Sequence, residues 1–198
     1  MPKLLETTRA TRRERILRAA VTCFARTGYH GATMEDIAAE AGIAKGAAYG
    51  YFSSKVDLFL ALYDDWDCSL GEEIAAALAR LAPEEQRSPR RMLVAALTAT
   101  GQHVQTHPEH CRVLMEARAL APYEPTIASR VRAAEERAQR RLEEPLRAGI
   151  AAGEWPTDTD VALRARLIRA AQHGLMAQWH LAPGSVAWEH AAQALIAW

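Results

Sequence analysis

Apolar residues recur along this chain at intervals of three and four, the period of an amphipathic helix, and no stretch alternates as a strand does. Beyond residue 55 the periodic segments are long and are bounded by prolines and glycines. They predict helices over residues 55–81, 89–106 and 108–120, a fourth helix after the turn at Pro122 and Pro125 that reaches about residue 152, and two more over 158–181 and 185–198. Pro145 should kink or divide the fourth helix. Asp158 or Thr159 should cap the fifth, and Ser185 the sixth. The sequence therefore predicts an all-α fold.

Two short helices on either side of a glycine turn are predicted in the stretch TMEDIAAEAGIAKGAAYGYF, which begins at Thr33. Thr33 and Asp36 have the spacing of a capping box, so a helix should start at Met34. Gly42 follows the last periodic residue, where a helix end favours a positive φ. A second, very short helix should start near Lys45. This layout is typical of a helix-turn-helix, whose second helix enters the major groove of DNA.

An earlier helix should begin at Thr8 or Thr11 and stop at Gly28. Its inward face should carry Ile16, Ala20 and Phe24. Residues 1–8 are expected to form a loose tail, and the alternative is that Lys3 reaches DNA together with Arg9.

Residues 13–59 resemble the N-terminal domain of the TetR (tetracycline repressor) family of bacterial transcription regulators. The resemblance is carried by many fixed positions, namely Ile16, Ala20, Phe24, Gly28, Thr33, Asp36-Ile37-Ala38, Ala41-Gly42-Ile43, Gly46, Tyr49, Tyr51-Phe52, Lys55 and Leu58. Three positions depart from the family's pattern: Ala44 stands where Ser or Thr is common, Ala48 where Leu is common, and Val56 where an acid is common. The resemblance implies an N-terminal three-helix helix-turn-helix DNA-binding domain over residues 1–55. It also implies a C-terminal helical ligand-binding and dimerisation domain over residues 56–198.

The distribution of charge agrees with this division. The 198 residues carry no formal net charge, but residues 1–55 have a balance of +4 and the remainder a balance of −4. A positive head on a negative body is typical of a DNA-binding module attached to a domain that does not bind DNA.

The cysteines and the lengths of the apolar runs indicate the cellular compartment. Cys23, Cys68 and Cys111 are widely spaced and odd in number, which fits a reducing cytosol better than a disulfide framework. No apolar run approaches the roughly 18 residues of a membrane span. We therefore expect a cytoplasmic protein that does not associate with membranes.

Eight residues of the helix-turn-helix are candidates for contact with double-stranded DNA. Tyr49 and Lys55 are expected to bind phosphates, with Thr33 adding an amide or hydroxyl at a helix N-terminus. A cation in a helix's first turn opposes the macrodipole, so an external anion would explain Lys55. Packing in the core is the alternative for Tyr49. The base-facing candidates are Lys45, Gly46, Ala47 and Tyr51, and Ala44, where the family usually has a hydroxyl, completes the set.

The resemblance also implies a cavity for a small-molecule effector among the helices after Lys55. Aromatic and methionine side chains with a few polar groups suit an adaptable, mostly apolar pocket. The candidate lining residues are Tyr63, Trp66, Leu70, Met92, Leu97, His103, Cys111, Met115, Arg118, Tyr123, His173 and Trp179. Each of these, taken singly, also suits ordinary core or interface packing. The chemistry of the effector does not follow from the sequence.

His103, His107 and Cys111 are spaced by four, with His110 beside them, which invites a metal-site interpretation. Pro108 falls inside this run, so the three side chains need not share a helix face. Capping and surface roles around the turn are the preferred interpretation. No metal and no cofactor are predicted.

The last two predicted helices carry more apolar surface than packing within one chain requires. In the family's pattern, this pair forms a four-helix bundle with the same pair from a second subunit. The candidate interface residues are Leu167, Ala171, Leu175, Trp179, Ala191 and Leu195. Dimerisation also suits DNA recognition, because a two-fold axis repeats a short recognition helix over a palindromic site.

These features predict a homodimeric transcriptional regulator. The resemblance implies a repressor that a small-molecule effector releases from a palindromic operator. One alternative is a DNA-binding adaptor whose C-terminal body binds a protein partner. A second is an enzyme built on a helical bundle, but the sequence shows neither a nucleophile, base and orienting group at telling spacings nor a phosphate-binding glycine loop. We therefore expect no enzymatic activity.

Overall fold

The computed structural model describes the backbone from Pro2 to Ala197 and the side chains from Arg9 to Ala197. Regular structure within this range is entirely helical, so the all-α prediction is confirmed. The helices are α1 (Pro2–Gly31), α2 (Met34–Glu40), α3 (Lys45–Tyr49), α4 (Lys55–Ala79), α5 (Pro89–Thr106), α6 (Pro108–Leu120), α7 (Pro125–Ala151), α8 (Val161–Leu181) and α9 (Trp188–Ile196).

The described chain forms two compact units, each with its own core. The first comprises the residues up to Trp66 together with Arg112–Arg130, and the second comprises Asp67–Cys111 together with the residues from Val131 onward. The helices α4, α6 and α7 each contribute residues to both units. The assignment of residues 1–55 and 56–198 to separate functions stays a prediction.

Three aromatic rings form the centre of the first unit. The ring of Phe59 on α4 meets that of Phe24 at a centroid separation of 5.4 Å and that of Tyr29 at 5.0 Å, both edge to face. Such pairs contribute about 0.5–1.5 kcal/mol beyond the burial of their area. Ile16 and Ala20 are fully buried on the same side of α1. The predicted inward face of α1 is therefore confirmed.

In the second unit, three distant side chains converge on the last carbonyl of α9. The Ile196 oxygen accepts hydrogen bonds from Arg90 Nη2 at 3.1 Å, Arg164 Nη2 at 3.3 Å and Trp155 Nε1 at 3.3 Å. Cations at this position complement the negative end of the helix dipole. The indole of Trp155 also packs so closely on Gly149 of α7 that any side chain at Gly149 would overlap it.

The start of α1 differs from the prediction. The helix begins at Pro2 rather than at Thr8 or Thr11, so the loose tail is wrong for the described backbone, while the side chain of Lys3 lies outside the described residues. Six of the eight residues from Lys3 to Ala10 are lysine, leucine, glutamate, arginine or alanine, which favour helix and carry α1 across both threonines.

The starts of α8 and α9 and the course of α7 also differ from the prediction. Asp160 caps α8 by accepting from the Leu163 N–H at 3.0 Å, in place of either residue predicted. The N-cap of α9 is Ala187, which makes no capping side-chain bond, so the assignment to Ser185 is wrong by two residues. α7 runs without interruption past Pro145, which therefore does not divide it.

Candidate functional site

A reciprocal pair of hydrogen bonds fixes the start of α2. The Asp36 N–H donates to Thr33 Oγ1 at 3.1 Å, and the Thr33 N–H donates to the Asp36 carboxylate at 3.0 Å. Hydrogen bonds from the Thr33 hydroxyl, and then from its backbone, hold the pKa of Asp36 below its usual value. The predicted capping box is confirmed.

The turn after α2 has the hydrogen bonds of a Schellman motif. The Ile43 N–H donates to the Ala38 carbonyl and the Gly42 N–H donates to the Ala39 carbonyl, each at 3.0 Å. Gly42 has φ = 63°, a conformation that glycine adopts without a steric penalty. The turn therefore sets the direction in which α3 leaves α2.

α3 presents small residues to solvent. Ala44, Lys45, Gly46 and Ala47 are exposed, whereas Ala48 is fully buried and anchors the helix to the first unit. Ala44 is the N-cap and makes no side-chain capping bond. Because Ala44, Gly46 and Ala47 have little or no side chain, the backbone at the start of α3 can approach another surface closely.

The two larger candidates on α3 are both accessible. Tyr49 is 46% exposed, so the alternative that it packs in the core is wrong. Lys45 Nζ lies 2.9 Å from Glu35 Oε2, and the hydrogen bond to this carboxylate raises the pKa of Lys45. An exposed ion pair of this kind contributes little to stability. The Lys45 ammonium can therefore exchange Glu35 for another anion.

Two arginines of α1 lie over the aromatic residues that follow α3. The guanidinium of Arg9 is 5.9 Å from the ring centroid of Tyr51, and that of Arg13 is 5.4 Å from the ring centroid of Phe52. These cation–π contacts hold positive charge beside the two residues that follow Gly50. Tyr51 itself is half-buried, so it offers less surface than Tyr49.

Lys55 has partners within the chain, which removes the argument that only an external anion explains it. Its ammonium donates to the carbonyls of Tyr29 at 2.7 Å and Ala32 at 2.9 Å, and it lies 4.5 Å from the ring centroid of Tyr29. These carbonyls belong to the end of α1 and the residue beyond it. Lys55 therefore ties the start of α4 to the end of α1. The sequence gives no sign of this contact, because it spans more than 20 residues.

Two residues in the part of α6 that belongs to the first unit contact the same end of α1. The Glu116 carboxylate accepts the Tyr29 N–H, and Arg112 Nη1 donates to the Ala25 carbonyl at 2.6 Å. Gly28, at φ = 71°, interrupts the helical path of α1 between these two contacts, as predicted. The end of α1 is thus held by both α4 and α6. Glu116 and Arg112 were not among the sequence candidates, since each contact spans 87 residues.

The twelve effector candidates are distributed over both units. In the first unit Tyr63 and Trp66 are buried, Met115 and Arg118 are half-buried, and Tyr123 is 83% exposed. Tyr123 therefore does not line an enclosed cavity in its unit, because it follows the end of α6 on the surface. In the second unit the buried members are Leu70, Leu97, His103, Cys111 and Trp179, and the half-buried ones are Met92 and His173. Their role in effector binding stays a prediction.

The second unit contains an open groove of about 780 Å³ beside α5 and α9. Charged and amide side chains, including Arg80, Arg91, Gln102 and Gln193, line it. All twelve candidates lie within the described chain, and none of them lines this groove. Apolar residues such as Leu81, Val94 and Ile196 line it as well.

The structure assembles a group of side chains that we call the histidine cluster: Glu73 of α4, His103 of α5, His107 at its C-cap, and Glu109 and His110 of α6. The ring of His107 lies 4.8 Å from that of His103 and 5.0 Å from that of His110, measured between centroids. The three histidines therefore lie close together although Pro108 separates them along the chain. Only His107 lies between the end of α5 and the start of α6 at Pro108, so the histidines of the two helices stay close together.

Cys111 does not take part as the sequence spacing suggested. The groups of described residues whose potential metal-ligand atoms all lie within 4.8 Å of one another are Glu73, His103 and His107, and His107, Glu109 and His110. Cys111 is buried, and burial raises its pKa to about 11. Burial likewise lowers the pKa of His103. Glu73 was missed by sequence analysis because it lies 30 residues earlier, on another helix.

α8 carries an exposed apolar seam. Its members recur at alternating intervals of four and three, namely Leu163, Leu167, Ala170, Gly174, Ala177 and Leu181. Leu163 is 49% exposed, Leu167 43% and Leu181 84%. The predicted interface residues Ala171, Leu175, Ala191 and Leu195 are half-buried, and Trp179 is buried within its own chain. Of the six interface candidates, Leu167 lies on the seam.

Family models match most of the chain. A model described as bacterial regulatory proteins, tetR family, matches residues 16–62, which include α2 and α3. A model described as the C-terminal domain of BetI-type transcriptional repressors matches residues 89–198. No helix among the described residues is long and apolar enough to cross a bilayer.

Individual relatives agree with these matches. The transcriptional activator FasR of Mycolicibacterium smegmatis is 33% identical over 128 residues, which cover 65% of this chain and 55% of that protein. The chain thus spans about half the length of FasR. The transcriptional repressor KstR2 of the same organism is 28% identical over 194 residues, which cover 95% of this chain and 88% of that repressor.

Solved structures share the fold. The crystal structure of the regulator FadR from Bacillus subtilis in complex with stearoyl-CoA has a TM-score of 0.79 against this chain. It covers 93% of this chain and 95% of its own at 20% identity, a likeness that shows the fold alone.

Proposed function

The chain belongs to the tetR family of bacterial regulatory proteins, and we propose that it is a homodimeric transcriptional repressor that a small-molecule effector releases from a palindromic operator. The observation that carries this proposal is the exposed face of α3. Ala44, Gly46 and Ala47 give it little side-chain volume, and Lys45 and Tyr49 flank it with polar groups. A face of this kind can lie close to the floor of the major groove.

The roles of the individual residues follow from their chemistry. Lys45 donates to the O6 and N7 atoms of guanine, and Ala47 contacts a thymine methyl group. Tyr49 and Thr33 donate to phosphates on either side of the groove. An ammonium group has three N–H donors, so Lys55 keeps one for a phosphate while two bind the carbonyls of α1. Tyr51 supports this surface through its contact with Arg9.

The exposed seam of α8 supports dimerisation. A row of leucine, alanine and glycine at alternating intervals of three and four suits close packing against a second helix of the same kind. A two-fold axis across this seam would place two copies of α3 on one DNA duplex. Leu167→Glu should therefore give a monomer, which sedimentation would detect. If the variant remains dimeric, the dimer interface lies elsewhere on the chain.

The contacts at the end of α1 suggest how an effector acts. α4 reaches α1 through Lys55, and α6 reaches it through Glu116 and Arg112. An effector that shifts α6 would therefore move α1 and the helix-turn-helix with it. Effector and operator then oppose each other reciprocally, with a coupling free energy of typically about 1–3 kcal/mol.

The proposal assigns DNA binding to residues 1–55 and effector binding and dimerisation to residues 56–198. It locates the protein in the cytoplasm, with its DNA target. It includes no catalytic step, in keeping with the relatives described above, which are transcriptional regulators.

Selection of bound duplexes from a random DNA library tests the proposal. We expect enrichment of a palindrome whose half-sites are about one helical turn apart, roughly 34–36 Å. The bound duplex is then challenged with a small-molecule library that includes acyl-CoA thioesters, because the FadR structure holds stearoyl-CoA. Release by one compound, recovered unchanged, would support an effector. Enrichment of no duplex would contradict the proposal, and specific binding that no compound releases would favour the adaptor.

A further inference from the structure

The histidine cluster has the donor set and the spacing of a metal site. His103 Nδ1 lies 3.1 Å from Glu73 Oε1, and His107 Nε2 lies 3.5 Å from the same oxygen. Around a tetrahedral ion with bonds of about 2.0–2.2 Å, neighbouring ligand atoms are on average about 3.4 Å apart. The two observed separations bracket that value, so an ion can replace the direct contacts with small movements.

The other nitrogen of each imidazole also has a partner. His103 Nε2 lies 3.4 Å from His110 Nδ1, and His107 Nδ1 lies 3.6 Å from Glu109 Oε1. A metal-bound histidine usually directs its second nitrogen to a carboxylate or another polar group, which fixes the ring's tautomer and orientation. Both imidazoles of the cluster are arranged in this way.

The positions of these side chains suit a ligand that enters from solvent. The His103 side chain is 1% exposed and is therefore held in place by the surrounding core. Glu73 and His107 are 36% and 37% exposed, so one side of the cluster is open. An open fourth position would be filled by water or by another ligand.

We propose that Glu73, His103 and His107 bind a divalent transition-metal ion of the zinc class, with Glu109 and His110 orienting the two histidines. Two imidazole nitrogens and one carboxylate oxygen suit Zn²⁺ and its neighbours. They do not suit Mg²⁺ or Ca²⁺, which take six or more oxygen ligands. The ion would join α4 to the junction between α5 and α6. This inference goes beyond the proposed function, and metal affinity is measured without DNA.

Titration of the full chain with Zn²⁺, after treatment with a chelator, tests the site. We expect one ion per chain, and we expect Co²⁺ to give the visible absorption of a four- or five-coordinate ion. Glu73→Gln and His107→Ala change partly exposed residues and should leave the fold intact. Each should weaken Zn²⁺ binding by at least about 100-fold, because each removes a ligand. His190→Ala, at an exposed histidine of α9, is the matched control and should bind as the unaltered chain does.

Substitutions of Glu73 and of Glu109 distinguish the proposed site from the neighbouring group of His107, Glu109 and His110. Glu109→Gln should weaken binding by about 10–100-fold, as loss of an orienting partner does, which is less than the effect of Glu73→Gln. A rise in the melting temperature with Zn²⁺ should accompany binding and should disappear in His107→Ala. The proposal is overturned if the chain binds no Zn²⁺, if Glu73→Gln and His107→Ala bind as well as His190→Ala, or if Glu109→Gln has the larger effect.

Discussion

The helix-turn-helix and the second compact unit are stabilised by contacts of very different range along the chain. In the helix-turn-helix, the capping box joins Thr33 to Asp36, and the turn at Gly42 closes within five residues. In the second unit, the carbonyl of Ile196 binds Arg164, Trp155 and Arg90, which are 32, 41 and 106 residues away. The first arrangement is encoded in a short stretch of sequence, whereas the second exists only once the chain has folded. The predictions below test this contrast, from the largest expected effect to the smallest.

Gly149→Ala should cost the most, because the added methyl group overlaps the Trp155 indole. Overpacking of this kind costs about 1–3 kcal/mol, and we expect the upper end since Trp155 also bonds to Ile196. Gly71→Ala is the control, because a side chain at this helical glycine meets no neighbour within 4 Å. It should stabilise the fold by about 0.5–1 kcal/mol. Urea unfolding measures both, and equal effects would contradict the close packing.

Thr33→Ala should cost less, about 1 kcal/mol, because only a local cap is lost. Thr22→Ala removes a comparable hydroxyl from the exposed interior of α1, where it bonds to the Arg18 carbonyl. We expect that control to change the free energy of unfolding by less than about 0.5 kcal/mol. If Thr33→Ala is as mild as Thr22→Ala, the capping box does not stabilise the helix-turn-helix.

Lys55→Gln separates the two roles of this residue. The glutamine side chain keeps an N–H donor, is one bond shorter and carries no charge. If Lys55 also binds a phosphate, the slope of log affinity for the selected duplex against log salt should fall by about 1.8, which is about 0.9 for each subunit of the dimer. Lys45→Gln provides the comparison on α3. If the salt dependence of duplex affinity is the same in Lys55→Gln as in the unaltered chain, the role of Lys55 is purely structural.

The pH dependence of stability should show a small contribution from Asp36. Hydrogen bonds from Thr33 lower its folded pKa, so this contribution is fully present above the unfolded value of about 3.9 and is lost as pH falls through the lower, folded value. Asp36→Asn should remove this part of the acid dependence. Asp65→Asn, at an exposed aspartate outside any cap, should not. Urea unfolding at a series of acidic pH values makes the comparison.

The contrast in range also explains how much could be predicted from the sequence. The Thr33 cap, the Gly42 turn and the burial of Phe24 all depend on residues a few positions apart, and all were predicted correctly. The long helices were predicted from their period, with errors at ends such as Asp160 and Ala187, where neighbouring residues could serve equally well as caps.

The contacts of the side chains across helices could not be predicted. Lys55 is predicted to bind DNA alone, because no nearby residue in the sequence indicates that it contacts the end of α1. The sequence spacing paired His103 with Cys111, and the folded chain instead brings Glu73 from α4. Tyr123 was assigned to a pocket on residue type, but it lies on the surface.

The most direct test of the central claim is the affinity of the full chain for its selected duplex when α3 is altered. The double variant Lys45→Ala/Tyr49→Ala should bind about 100-fold more weakly, since it removes one base-facing and one phosphate-facing group. Arg132→Ala/Arg140→Ala removes two exposed cations of α7 and should change the affinity by less than about two-fold. Equal affinity for the α3 variant and this control would contradict the assignment of α3 as the DNA-reading helix.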